Sequence, residues 1–186
     1  MDKNRKPKVL ELTLCGLFTA LIAVGAFIKI PLGPIPFTLQ TFFVVTAGML
    51  LGSRRGAVSA LVYMLLGLIG VPIFTEGGGF GYVFKPTFGY IIGFIIGAFI
   101  AGLIVEKAEK PSFLRLLAAG FAGLAVIYAV GMVYVYLMKN FYLGTPMAVK
   151  SVIIYCFLVF LPGDGAMCVL AAVLSKRLRP FLKKKI

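Results

Sequence analysis

The chain has 186 residues, 61% of them in the apolar class and only 13% charged, with a mean hydropathy of +1.04. A soluble domain carries about 25% charged residues, and a fold of this length has too little interior to hide so much apolar surface from water. The composition therefore excludes a water-soluble domain and a disordered tail, and three cysteines make no disulfide framework. Nineteen Lys and Arg against six Asp and Glu leave a net charge of +13, which in a lipid-embedded chain is first a question of topology.

A membrane span needs about 20 mostly apolar residues. In chain order the apolar stretches are 12–28; 30–53, whose prolines 31, 34 and 36 confine its helical part to 37–51; 56–75, ending near Gly70-Val71-Pro72; 86–105; 116–138; and 151–175, which alone carries an internal charge, Asp164. The expectation is an all-α integral membrane protein of six transmembrane helices, forming one domain over 1–186. The N-terminal run is too long for the apolar core of a signal peptide and is read as the first span.

The charges fall unevenly between these spans. Lys3, Arg5, Lys6 and Lys8, then Arg54 and Arg55, then Lys107, Lys110 and Arg115, then Lys176, Arg177, Arg179, Lys183, Lys184 and Lys185 share one side if the span count is even; Lys29, Lys85, Lys139 and Lys150 occupy the other. Asp2, Glu11, Glu106 and Glu109 fall on the first side and Glu76 on the second. Asymmetry of this size sets orientation, so both termini are expected in the cytoplasm, and no nucleic-acid partner is expected. The basic C-terminal tail reads as a stop-transfer anchor or as a contact for anionic lipid.

Several chemistries are missing. There is no phosphate-binding G-x-x-x-x-G-K-[ST] motif, and the absence of histidine removes His-based zinc sites and Ser-His dyads. Cys15, Cys156 and Cys168 each sit singly inside a span, where cysteine acts as a small apolar residue. The run Gly77-Gly78-Gly79-Phe80-Gly81 reads as a flexible outer loop, part of a long 70–85 connection suited to covering a pocket. Aromatic walls would come from Phe37, Phe74, Phe80, Tyr82 and Phe84.

Asp164 is the one ionisable carboxylate inside a span, near the middle of 151–175, where an ionised side chain costs roughly 2.5–3.5 kcal/mol on the insertion scale. It persists there by facing a polar cavity, as an acceptor for a ligand's N–H groups, or by stabilising a helix contact in protonated or hydrated form. Pro162-Gly163-Asp164-Gly165 has some likeness to the G-x-G-D of intramembrane aspartyl proteases, but that chemistry needs two carboxylates and the second is missing; neither catalytic residues nor an enzyme activity is expected. Other polar candidates for the same cavity are Thr38, Gln40 and Thr41 at the start of span two, and Lys85, Thr87 and Tyr90 at the start of span four. No metal site or cofactor is expected. In span one, Gly16-x-x-x-Ala20 with Ala23 close by places small residues on one face, for internal packing or for another subunit.

Taken together, Gly16-x-Phe-x-Ala-Leu21, Pro36-Phe-Thr-Leu-Gln-Thr41, Leu51-Gly-Ser-Arg-Arg-Gly-Ala57, Tyr63 with Gly67-Leu-Ile-Gly-Val-Pro-Ile-Phe74, the glycine run 77–81, Lys85-Pro-Thr-Phe-Gly-Tyr90 and Pro162-Gly-Asp164 resemble the BioY proteins, biotin-binding S components of energy-coupling factor transporters. The resemblance covers essentially the whole chain in order. It implies a six-helix subunit in a prokaryotic cell membrane that holds one biotin near its extracellular side under the loops after spans one and three. It also implies partners: a transmembrane scaffold subunit, which would dock on the Gly16, Ala20, Ala23 face, and two cytoplasmic ATPases. Asp164 would accept from the ureido N–H groups, Gln40 or Thr87 would meet other polar atoms, and Lys29 or Lys85 would balance the ligand carboxylate. Family members often carry a basic residue three positions after the aspartate; Met167 stands there in this chain. The other readings are an S component or stand-alone carrier for a different small vitamin, and an intramembrane hydrolase.

Overall fold

The computed structural model describes residues 5–31 and 35–183; Asp2, Lys3, Pro34, Lys184 and Lys185, named above, lie outside the described residues. Seven α-helices occur among them: α1 (Arg5–Phe27), α2 (Gln40–Leu51), α3 (Ser53–Leu68), α4 (Phe88–Glu106), α5 (Phe113–Leu137), α6 (Val149–Ile153) and α7 (Leu161–Lys183). The all-α expectation needs one correction. Between α1 and α2 the chain makes a small antiparallel hairpin, β1 (Lys29–Pro31) with β2 (Pro36–Thr38), in which Lys29 lies opposite Thr38. Prolines at both strands bar helix here and suit short edge strands, so α2 begins three residues later than the apolar run suggests.

The bundle is arranged around α2. Ten of its twelve residues are buried, and it packs against α1, α3, α4, α5 and α7. At about 18 Å it is shorter than the hydrocarbon core of a bilayer. It passes to α3 through Gly52 alone, whose φ of +92° excludes a side chain without strain. Backbones approach closely beside that turn: a Cβ on Gly48 would stand 2.3 Å from the Ala98 carbonyl oxygen, and one on Gly102 would stand 2.3 Å from the Ser53 nitrogen.

The largest seam joins α4 and α5. Gly89, Gly93, Gly97 and Ala101 recur every four residues on α4, which puts small residues in one line along the helix. A Cβ on Gly93 would meet the Ile127 backbone at 2.9 Å, and one on Gly97 would meet the Gly123 carbonyl at 2.9 Å. In lipid, where apolar surface gains little from leaving the solvent, such backbone contact is what holds helices together.

Among the described residues, three helical segments are long and apolar enough to cross a membrane: Val9–Phe27, Phe88–Glu106 and Phe113–Tyr142. The predicted span 151–175 is not one helix. Val149–Leu158 and Leu161–Leu182 meet at a 41° bend and qualify together as one broken span. Pro162 explains the break, because it cannot donate a backbone hydrogen bond and its ring clashes with the carbonyl four residues before it. The chain opens into a wide turn over Ile154–Leu158, and α7 starts afresh with Pro162 and Asp164 in its first turn. The protein is a helical, multi-pass membrane protein.

One end of the bundle gathers the basic segments. Arg55 pairs with Glu11. Ser53 donates from its nitrogen (2.9 Å) and its hydroxyl (2.7 Å) to the two Glu106 carboxylate oxygens. Arg115 and Arg179 donate to the carbonyls of Ile104 and Val105 in the last turn of α4, where carbonyls lack the next helical turn as a partner. At the other end lie the hairpin and the 70–85 connection. That connection, whose glycines suggest a flexible loop, is packed onto the bundle. Phe74 is 1% exposed and packs on the Tyr63 and Tyr82 rings at centroid distances of 5.4 and 4.5 Å. It lies so close to Gly67 that a Cβ there would fall 2.0 Å from the ring. A short 3-10 helix, Phe80–Phe84, follows.

The α4–α5 seam generates a prediction. Gly97→Val, placing branched carbons against the Gly123 carbonyl, should cost about 1–3 kcal/mol by overpacking, read as a fall in the thermal unfolding midpoint of the detergent-solubilised chain. Gly16→Val, where a Cβ meets nothing within 4 Å, should leave the midpoint unchanged.

Candidate ligand-binding site

Under the hairpin and the 70–85 connection is a cavity of about 570 Å³, its open mouth included. Several separate elements of the fold contribute to it. The hairpin supplies Phe37 and Thr38, the start of α2 supplies Gln40 and Thr41, and α3 supplies Tyr63. Thr75 and Tyr82 come from the connection, Thr87 and Tyr90 from the start of α4, Tyr128 from α5, Phe160 from the break before α7, and Asp164 from the first turn of α7.

Asp164 forms the polar floor. It is 5% exposed, and the restart of the helix places it in a first turn, where free N–H groups and the helix dipole favour a negative group. The Tyr128 hydroxyl donates to its Oδ2, and the Thr41 side chain is also beside the carboxylate. Its Oδ1 is buried and has no hydrogen-bond partner among the described residues. An unfilled acceptor of this kind costs roughly 1–3 kcal/mol; it is the group in the cavity with most to gain from a guest that carries N–H or O–H.

The other polar groups face one another in pairs. The Gln40 amide donates to the Tyr63 hydroxyl at 2.7 Å, and Tyr63 donates onward to the Ile73 carbonyl at 3.1 Å. The Thr38 hydroxyl donates to the Gln40 side-chain Oε1 at 3.3 Å. The Tyr82 hydroxyl stands 2.9 Å from the Thr75 hydroxyl and accepts from Thr87 at 3.2 Å. Tyr90 donates to the Cys156 carbonyl at 2.9 Å. That carbonyl is free because the Phe160 nitrogen turns instead to Phe157; the irregular backbone before α7 thus provides acceptors inside the protein, where lipid-depth irregularity is tolerated. Apolar walls come from Phe37 and Phe160, stacked 7° from parallel with centroids 6.3 Å apart. Gly163 permits this, since a Cβ there would meet the Phe37 ring at 2.8 Å.

Of the residues expected from sequence, Gln40, Thr41, Thr87, Tyr90 and Asp164 line this one cavity, and Lys85 does not. The Lys85 ammonium is 2.5 Å from a Glu76 carboxylate oxygen and lies 5.4 Å from the Tyr82 ring centroid. Lys29 also stands outside the lining and donates to the Thr75 carbonyl. Among the expected aromatic walls, Phe37 and Tyr82 line the cavity, Phe74 is packed beneath it, and Phe80 and Phe84 are exposed. Gly16 and Ala20 lie exposed on α1, whereas Ala23 packs against the core. The sequence reading passed over Tyr63 and Tyr128 as lining residues. The available signal for Tyr128 was a hydroxyl in mid-span, away from the headgroup levels where tyrosine usually sits, needing a buried partner. No group of three or more Cys, Asp or Glu side chains is placed to hold a metal ion among the described residues.

An apolar bundle enclosing an aromatic-walled chamber, with one buried carboxylate on its floor and two loop segments over its mouth, is a membrane-embedded small-molecule binding protein. Residues 1–184 match the family model for BioY. The chain is 44% identical over 170 residues to the biotin transporter BioY of Thermotoga maritima, covering 91% of this chain and 95% of that one. It is 42% identical over 174 residues to a probable biotin transporter BioY of Lysinibacillus sphaericus, covering 94% and 89%. Among solved structures it is similar to the S component for biotin from an ECF-type ABC transporter, with a TM-score of 0.82, 30% identity, and coverage of 97% and 95%. The chain belongs to the BioY family.

The Asp164–Tyr128 contact yields a second prediction. Tyr128→Phe leaves both carboxylate oxygens without a tyrosine donor and should destabilise the ligand-free chain by about 1–3 kcal/mol. In Asp164→Asn the same change should cost clearly less, so a double-mutant cycle of unfolding midpoints should show coupling of at least about 0.5 kcal/mol. Additive effects would mean that the two groups do not interact.

Proposed function

We propose that this chain is the biotin-binding S component of an energy-coupling factor uptake system. The observation that carries the proposal is the Asp164 Oδ1, buried at the cavity floor with no donor among the described residues. Biotin offers what this floor lacks: a ureido ring with two N–H donors and a carbonyl, on an apolar bicyclic body suited to the Phe37 and Phe160 rings. The ureido N–H groups meet Asp164. The Gln40 amide and the Thr87 hydroxyl are placed to serve the remaining polar atoms, with Thr41 and Tyr90 beside them. The orientation follows from charge. Two like charges 4 Å apart repel by about 4 kcal/mol at an effective dielectric of 20, so the anionic tail points away from Asp164 and toward the mouth.

The same reading gives the subunit its setting. The helices cross the plasma membrane of a prokaryote six times, through α1, α2, α3, α4, α5 and the bent pair α6–α7, with both termini in the cytoplasm on the side of the basic segments. The exposed Gly16 and Ala20 on α1 form the face on which a transmembrane scaffold subunit packs closely, with the half-buried Ala23 at its inner edge; that subunit brings two ATPases. Residues 1–186 act as one binding domain that transports rather than catalyses. Support for the assembly lies in the S-component likeness and in a chain without a nucleotide-binding motif of its own.

Equilibrium titration of the purified chain in detergent tests the proposal. The expected result is one biotin per chain, with affinity reduced at least about tenfold in Asp164→Asn and the variant still folded. Failure of wild-type protein to bind biotin, or tighter binding of another vitamin, would contradict it.

A further inference from the structure

We infer that Lys29 is the residue that meets the anionic tail of the ligand and so sets the preference for a free carboxylate; this rests on the biotin reading above. The cavity lining holds one carboxylate and neither Lys nor Arg. Met167, one turn beyond Asp164 on α7, is not part of the lining and carries no charge. A tail pointing out of the chamber therefore finds its cation at the rim.

Four lysines are available at that end of the fold. Lys139 and Lys150 belong to the stretch 129–159, no residue of which lines the cavity. Lys85 is compensated, its ammonium 2.5 Å from Glu76. Lys29 is exposed and has no acidic partner among the described residues. Its position is bracketed by two lining residues: its backbone pairs with Thr38 across the hairpin, and its ammonium donates to the carbonyl of Thr75, 2.5 Å away. The ammonium thus sits where the hairpin and the 70–85 connection meet over the chamber. A lysine has three N–H donors, so two remain for a carboxylate emerging between these segments. The neutral Thr75 carbonyl holds the side chain in place without cancelling its charge.

The test compares biotin with biotin methyl ester in equilibrium titrations of the wild type, Lys29→Gln, Lys29→Arg and Lys85→Gln. The wild type is expected to prefer biotin. Lys29→Gln should weaken biotin about tenfold, equivalent to about 1.4 kcal/mol, and leave the ester unchanged; Lys29→Arg and Lys85→Gln should keep the preference. Equal weakening of both ligands by Lys29→Gln would make the residue a clasp between loops and overturn the assignment, as would loss of preference in Lys85→Gln instead, or a wild type indifferent to the ester. A wild type that binds neither ligand refutes the biotin reading itself, and the assignment with it.

Discussion

A carboxylate inside an apolar bundle must find donors for both of its oxygens or lose stability, and that requirement organises this molecule. Asp164 obtains one donor from Tyr128 on α5 and a favourable helix terminus from the break that Pro162 imposes. The other oxygen is buried with no donor among the described residues, on a side chain that lines the chamber. Each of these features has a structural requirement behind it: α4 must approach α5 closely to set Tyr128, and α2 must remain short and central so that its first residues, Gln40 and Thr41, reach the same level. The glycine line on α4 and the single-residue turn at Gly52 meet those requirements through backbone contact rather than through large side chains.

The two ends of the bundle differ in how they are held. At the basic end, side chains of Ser53, Glu106, Arg115 and Arg179 make hydrogen bonds at helix termini. At the chamber end, the covering segments are joined to the rest by Phe74 wedged against Gly67 and by hydroxyl pairs such as Thr75–Tyr82. These contacts cover the mouth with few residues while leaving a polar rim. Hydrogen-bond partners already in place around Gln40 and Tyr90 preorganise the walls, so less ordering remains to oppose binding.

How much of this was legible in the amino-acid sequence depends on the kind of signal. The stretches giving α1, α4 and α5 were readable because an uncharged apolar run of about 17 or more residues, enough to span the bilayer, has one ready explanation. Asp164, Gln40, Thr41, Thr87 and Tyr90 were readable as polar groups at unusual places in apolar runs, although nothing local said that they face one chamber. The hairpin was not readable, since three-residue strands are too short to show alternation. The bend at α6–α7 was hidden because apolar content continues across it, with only Pro162 as a clue. Tyr128 was passed over because its partner is thirty-six residues away in the chain. Likewise the neutralisation of Lys85 depends on how the 70–85 connection folds back on itself to bring in Glu76.

The central claim is that the open oxygen of Asp164 is filled by hydrogen-bond donors of the guest, and infrared difference spectroscopy addresses it without relying on affinity. Spectra of the chain with and without biotin should show a shift in a carboxyl band that is absent from the same difference for Asp164→Asn at saturating ligand. A biotin-saturated wild type whose carboxyl bands do not move, or move identically in the variant, would contradict the account.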